Sequence, residues 1–169
     1  MQKQLKDVLS HKGESLQSVA EDATVLSAVR QMHKQNIGAL LILEDGSVKG
    51  IFTERDVLFR VVNDGLDPAT TTVSQVMTPD PFCVPPATDV KTALREITER
   101  HIRHLPLVED GKVVGVISSG DLNRHMVAQQ EDEIRGLTLE VKKEGFKFKS
   151  ILLLVAAFII LAIVGVLAS

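Results

Sequence analysis

Apolar positions along the chain follow two periods, and the order of the periods repeats. Val25, Val29 and Met32 are spaced for one face of a helix of about ten residues, and Val90, Leu94 and Ile97 are spaced the same way. Each predicted helix is preceded by a short extended stretch, 16–19 or 82–84, and followed by two apolar runs, 39–43 with 48–52 or 105–108 with 113–117. Between the runs stand Asp45-Gly46 and Asp110-Gly111, the residues of a tight hairpin turn. A further helix opens near Glu54 in one copy and Ser119 in the other. The pattern predicts an α/β fold built as β-α-β-β-α, twice over.

The duplication is explicit at an offset of 65 residues, where 25–56 aligns with 90–121 without a gap. Ala28 matches Ala93, Arg30 matches Arg95, Ile37 matches Ile102, Gly50 matches Gly115 and Asp56 matches Asp121. The segment 65–86 carries five prolines, so it reads as a crossing linker that ends in the first strand of the second copy. The resulting division is a first repeat at 6–64, the linker and strand at 65–86, a second repeat at 87–128 and a polar helical linker at 129–150. The amino-terminal stretch 3–9 is read as a short amphipathic helix forming a solvated cap.

The last segment, 151–168, has no polar or charged residue. At 1.5 Å per residue such a helix spans roughly 27 Å, about the hydrocarbon thickness of a bilayer. Lys142, Lys143, Lys147 and Lys149 precede it, with Phe146 and Phe148 between them, a combination suited to a cytoplasmic headgroup layer. The amino-terminal residues are too polar for a secretory signal. The expectation is one transmembrane helix, a tail anchor, with the amino-terminal domain cytoplasmic. Lys and Arg number 19 against 22 Asp and Glu, for a net charge of −3, which argues against a nucleic-acid partner. Cys83 is the sole cysteine and reads as a buried small hydrophobe.

The chemistry concentrates where the second strand of each copy meets its helix. Gly50-Ile51-Phe52-Thr53-Glu54-Arg55-Asp56 and Gly115-Val116-Ile117-Ser118-Ser119-Gly120-Asp121 place a hydroxyl three residues before an acid. Backbone amides at a helix start, with the hydroxyl, can receive a phosphate, and a carboxylate one turn on can accept from a ribose. The same spacing also makes a capping box that needs no ligand. The use of Asp in place of the longer Glu or Gln, and the Gly three residues before each hydroxyl, favour the ligand.

With these signatures, 36–41, Val76-Met77-Thr78-Pro79 and 102–108, the chain resembles a tandem pair of cystathionine beta-synthase (CBS) domains from about residue 6 to residue 125. The resemblance implies a module that binds AMP, ADP, ATP or another adenosyl ligand, needs no other cofactor, and pairs into a homodimeric flat disc of four repeats. It assigns phosphate and ribose to Thr53 and Asp56 in one site and to Ser118 and Asp121 in the other. Arg103 and His104 become polyphosphate contacts. Ile37, Gly38, Ala39 and Ile102, with Thr78 and Pro79 of the linker, lie against the nucleoside. Gly38-Ala39 stand where the second copy has Arg103-His104, so the first copy's site is expected to lack a local cation and histidine.

His101 and His104 have no thiol or acid nearby to complete a metal site, and His11, His33 and His125 read as surface residues. No nucleophile, base and orienting group fall together, so no catalysis is expected. The expected function is a regulatory nucleotide sensor acting on an unidentified protein target at a membrane. The alternatives are a membrane scaffold whose aspartates merely cap helices, and an NADH-linked redox regulator.

Overall fold

The computed structural model describes residues 3–12, 16–131, 134, 135 and 153. The chain divides into two compact units, 1–123 and 124–169, and both repeats lie in the first. The elements run α1 (Leu5–Lys12), α2 (Val25–Gln35), β1 (Ala39–Glu44), β2 (Ser47–Thr53) and α3 (Glu54–Asp56), which continues into a π-helical stretch at Val57–Val62. The linker contributes α4 (Val73–Val76) and β3 (Thr78–Pro79). The second copy supplies α5 (Val90–Glu99), β4 (His104–Glu109) and β5 (Lys112–Ser118), followed by a helix at 119–131.

Local chemistry accounts for the boundaries. Thr24 Oγ1 accepts from the Ser27 amide at 3.2 Å to start α2, and Asp89 Oδ2 accepts from the Thr92 amide at 3.1 Å to start α5. Asn36 and His101 end these helices in the left-handed region, each at φ 53, an arrangement Asn and His tolerate better than most residues. Both central residues of each hairpin turn have positive φ, Asp45 with Gly46 and Asp110 with Gly111, which matches the strand twist. β1 pairs with β2 from Ala39↔Thr53 to Glu44↔Ser47, and β4 pairs with β5 from His104↔Ser118 to Glu109↔Lys112. Each pair carries an irregularity at the same point, between Ile42 and Leu43 or Leu107 and Val108.

The extended stretches before α2 and α5 are shorter than the pattern predicts, each making one parallel bridge, Ser18 to Leu41 and Val84 to Leu107. In the second copy Pro85, Pro86 and Pro106 lack the amide protons a longer ladder would need. β3 is an addition, lying antiparallel to β2 through Gly50↔Pro79 and Ile51↔Thr78.

The amino-terminal helix is not a solvated cap. Leu5 is fully buried and Val8 nearly so, and the Leu5 and Lys6 amides donate to the Thr88 and Pro86 carbonyls at 2.9 Å, so α1 completes the second copy. The linker serves the first copy likewise, since Val73 and Val76 of α4 join Val25, Ala28, Met32, Leu40, Ile42, Phe52 and Val61 in one core. The spacing Leu5, Val8, Leu9, Ser10 recurs 68 residues later as Val73, Val76, Met77, Thr78. Each preceding segment lies over a strand glycine. A Cβ on Gly50 would stand 2.5 Å from Met77 Sδ, and one on Gly115 would stand 2.5 Å from Leu9 Cδ1.

Of 151–168 only Leu153 is described, so the expected membrane helix lies outside the described residues, as do Lys142 to Lys149. Among the described residues no helix is long and apolar enough to cross a membrane.

Cys83 is half-buried, not fully buried as expected, and its thiol donates to the Pro81 carbonyl at 3.2 Å. Burial pushes the thiol's pKa up from its ordinary value, because the thiolate loses hydration. Alkylation by iodoacetamide should therefore accelerate at higher pH for Cys83 than for free cysteine, as read by mass spectrometry across a pH series. Gly115→Ala should destabilise the chain by about 1–3 kcal/mol through overpacking against Leu9. Leu9→Ala should relieve part of that loss in a urea-unfolding double-mutant cycle.

Candidate functional site

The two strand-to-helix junctions have the same internal bonding. Thr53 donates to Asp56 Oδ2 through its amide at 2.8 Å and its hydroxyl at 2.6 Å, and the Asp56 amide donates back to Thr53 Oγ1 at 3.4 Å. Ser118 donates to Asp121 Oδ2 at 2.9 and 2.8 Å, and the Asp121 amide donates to Ser118 Oγ at 3.2 Å. Both carboxylates are buried, at 6% and 9% exposure, where an ionised acid needs charge-assisted donors.

These bonds correct the weight placed on two sequence details. The aspartates act in capping boxes, because the hydroxyl and the amide converge on one carboxylate oxygen within the reach of the shorter side chain. The glycines of the two signatures make room for Met77 and Leu9. The second oxygen of Asp56 looks elsewhere: Oδ1 lies 3.4 Å from the Thr78 hydroxyl and 3.5 Å from Arg60 Nε. That contact brings the linker to the first copy's acid.

A cavity of about 390 Å3 opens beside this junction. Thr53, Asp56 and Gly38 of the first copy and Thr78 of the linker line it, and Ile102, Arg103 and His104 of the second copy face them. A neighbouring cavity of about 860 Å3 is lined by Ile37 and Gly38 of the first copy and by Arg103, His104 and Ser118 of the second. Both volumes fall within the roughly 300–1,000 Å3 of small-molecule sites. Ala39, Pro79 and Asp121 line neither: Ala39 and Pro79 are committed to ladder pairs with Thr53 and Gly50, and Asp121 to its capping box.

Gly38 and Ala39 leave the first copy without a local cation and histidine at those positions, and the second copy supplies both to the cavity wall. Each cavity is composite, so Arg103 and His104 reach the Thr53–Asp56 junction from the other repeat. The smaller cavity holds four arginines, Arg55, Arg60, Arg100 and Arg103, against two carboxylates, Glu54 and Asp56, within a chain of net charge −3. Such a concentration of guanidinium favours an anion. Arg55 donates to the His101 carbonyl, and Arg60 to the Val76 and Met77 carbonyls. Arg100 bonds Glu96 at 2.8 Å and lies 3.8 Å over the Phe82 ring. Arg103 is exposed and has no such tie among the described residues. Also among the described residues, no group of His, Cys, Asp and Glu side chains could hold a metal ion.

Glu54, Arg55, Phe59, Arg60, Phe82 and Arg100 are the lining residues that the sequence pattern did not single out. Their signal is departure from the repeat, since Glu54, Arg55, Phe59 and Arg60 align with Ser119, Gly120, Arg124 and His125.

Comparison with known proteins agrees with this architecture. The CBS domain family matches residues 5–63 and 73–128. The mitochondrial CBS domain-containing protein CBSX3 of Arabidopsis thaliana is 32% identical over 147 residues, covering 82% of this chain and 71% of that protein. A CBS-domain-containing protein of Agrobacterium tumefaciens superposes with a TM-score of 0.68 at 32% identity, over 73% of this chain and 99% of that one. The hexameric CBS-CP12 protein of bloom-forming cyanobacteria superposes with a TM-score of 0.66 at 26% identity, over 72% of this chain and 67% of that one. The duplicated β-α-β-β-α plan, the paired capping junctions and the two matched segments together make this chain a member of the CBS domain family of regulatory modules, with two tandem copies.

Proposed function

We propose that the chain is a regulatory adenine-nucleotide-binding module of the AMP or ATP type, tethered to a membrane by residues 151–168. The observation that carries this reading is the smaller cavity, where the Thr53 hydroxyl and the Asp56 carboxylate face Arg103 and His104. The Arg103 guanidinium suits phosphate, and Asp56 Oδ1, held only by contacts of 3.4 and 3.5 Å, suits a ribose hydroxyl, while the Thr53 hydroxyl donates to Asp56 Oδ2 and orients that acid. Ile102 and Phe82 add apolar surface for a base. Self-association accords with the exposed Leu58, Phe59 and Val62, and the cyanobacterial relative is a hexamer. Nucleotide binding would alter a protein target by favouring one arrangement of the module over another.

A scaffold without ligand is the competing reading, and the capping boxes favour it, because both aspartates already have internal partners. The two separate in a thermal-shift experiment on the full-length chain in detergent, with AMP, ADP, ATP, NADH and S-adenosylmethionine. An adenine nucleotide at a hundred times its dissociation constant should add about 2.7 kcal/mol of stability. No response to any of the five by the folded chain removes the sensor reading. Asp56→Ala should cost about 1 kcal/mol from the lost cap. In a sensor it should also weaken the nucleotide response, whereas a scaffold would show the stability loss alone. For the tether, the chain should stay in the membrane pellet after alkaline carbonate extraction, and a chain ending at Ser150 should be released. Release of both would remove the anchor.

A further inference from the structure

We propose that Arg55 and Phe82 are positioning residues that pin the turn after α5 from two sides, so that the duplicated crevice has one preorganised wall and one adaptable wall. The backbone of this turn is the same in both copies. The His101 and Ile102 amides donate to the Thr98 and Ile97 carbonyls at 3.2 and 3.1 Å, and the aligned Asn36 and Ile37 amides donate to the His33 and Met32 carbonyls at 3.2 and 3.0 Å. His101 and Asn36 also share φ 53. The side chains around the turn differ. Arg55 of the first copy donates to the His101 carbonyl across the repeats, and the Arg100 guanidinium lies 3.8 Å over the Phe82 ring. Gly120 and Gln17 stand at the positions aligned with Arg55 and Phe82, so the Gln35-Asn36 turn has neither a guanidinium nor a ring to meet there.

The pinned turn carries Ile102 to the wall of the smaller cavity, and its counterpart carries Ile37 to the wall of the larger. A guanidinium on a carbonyl just past a helix end satisfies an acceptor the helix cannot, and it complements the negative end of the dipole. A cation over a ring face adds a second attraction. Both contacts must break before the turn after α5 can swing away from the Thr53–Asp56 junction. The smaller cavity is therefore held in one shape, whereas the larger can adjust to its occupant. This division follows from two positions at which the copies differ, and it holds whichever small molecule the crevice takes.

Amide hydrogen exchange of the full-length chain in detergent micelles tests the pins without any ligand, read by NMR at Ile102 and Ile37 and corrected for intrinsic rates. The two amides close their helices through like bonds, so pins that do nothing leave them equally protected. Ile102 is expected to exchange about three- to ten-fold more slowly than Ile37, the effect of one or two modest contacts on local opening. Arg55→Ala should remove most of that difference with Ile37 unchanged, and Phe82→Gln should remove part of it. Equal protection in the wild-type chain overturns the pins, and that comparison needs no variant to fold. A difference that survives Arg55→Ala, or an equal loss at both amides, removes Arg55 from the role. Because no nucleotide is present, failure of the pins is told apart from failure of the nucleotide-binding reading, which the thermal-shift experiment reports.

Discussion

A buried carboxylate cannot be left without donors, and this constraint fixes the centre of each repeat. Asp56 and Asp121 sit almost out of solvent at the start of the helix that follows a hairpin. Removing such an acid from water costs several kcal/mol unless hydrogen bonds replace the hydration. The replacement donors are the amide and hydroxyl of Thr53 or Ser118, so the last residue of β2 or β5 must hold an extended backbone and present both groups to one oxygen. The direction in which the chain leaves the strand follows. In the first copy Asp56 also meets Arg60 and Thr78, which ties the π-helical stretch and β3 to the same point. The wider π turn carries Phe59 and Arg60 to the cavity wall, in keeping with the tendency of such turns to fall at functional positions.

The second constraint is that neither repeat closes its core from its own contiguous residues. α1 covers the second copy and α4 covers the first, and Gly115 and Gly50 let Leu9 and Met77 approach the sheets closely. The hairpin tips touch as well, with the Ser47 hydroxyl donating to the Gly111 carbonyl at 2.9 Å. Because the copies are interlocked, the crevice between them is lined from both. The Thr53–Asp56 junction thus meets Arg103 and His104, and one pair of arginines borders two cavities.

Much of this was legible from local signals. The hairpins at Asp45-Gly46 and Asp110-Gly111 were readable because a turn with two positive φ values selects few residues. The helices 25–35 and 90–99 were readable from apolar spacing and their caps at Thr24 and Asp89. Thr53 with Asp56 and Ser118 with Asp121 stood out because hydroxyl and acid are near in sequence, but spacing could not say whether the acid bound a ligand or its own cap. The extended stretches were overread: in the second copy Pro106 has no amide proton to give the 82–84 stretch, and the first copy's 16–19 stretch, which has no proline, also makes a single bridge.

By itself, the sequence determined the duplicated plan, the family and the junction residues, all of which depend on contacts between neighbours or on register between copies. Tertiary structure alone decided that α1 is core, that Gly50 and Gly115 serve packing, and that the first copy's acid faces the second copy's cations. Those facts rest on encounters between residues tens of positions apart, such as Leu9 with Gly115 and Met77 with Gly50. No local propensity encodes such a meeting, which exists only once the apolar faces of both repeats have been buried together.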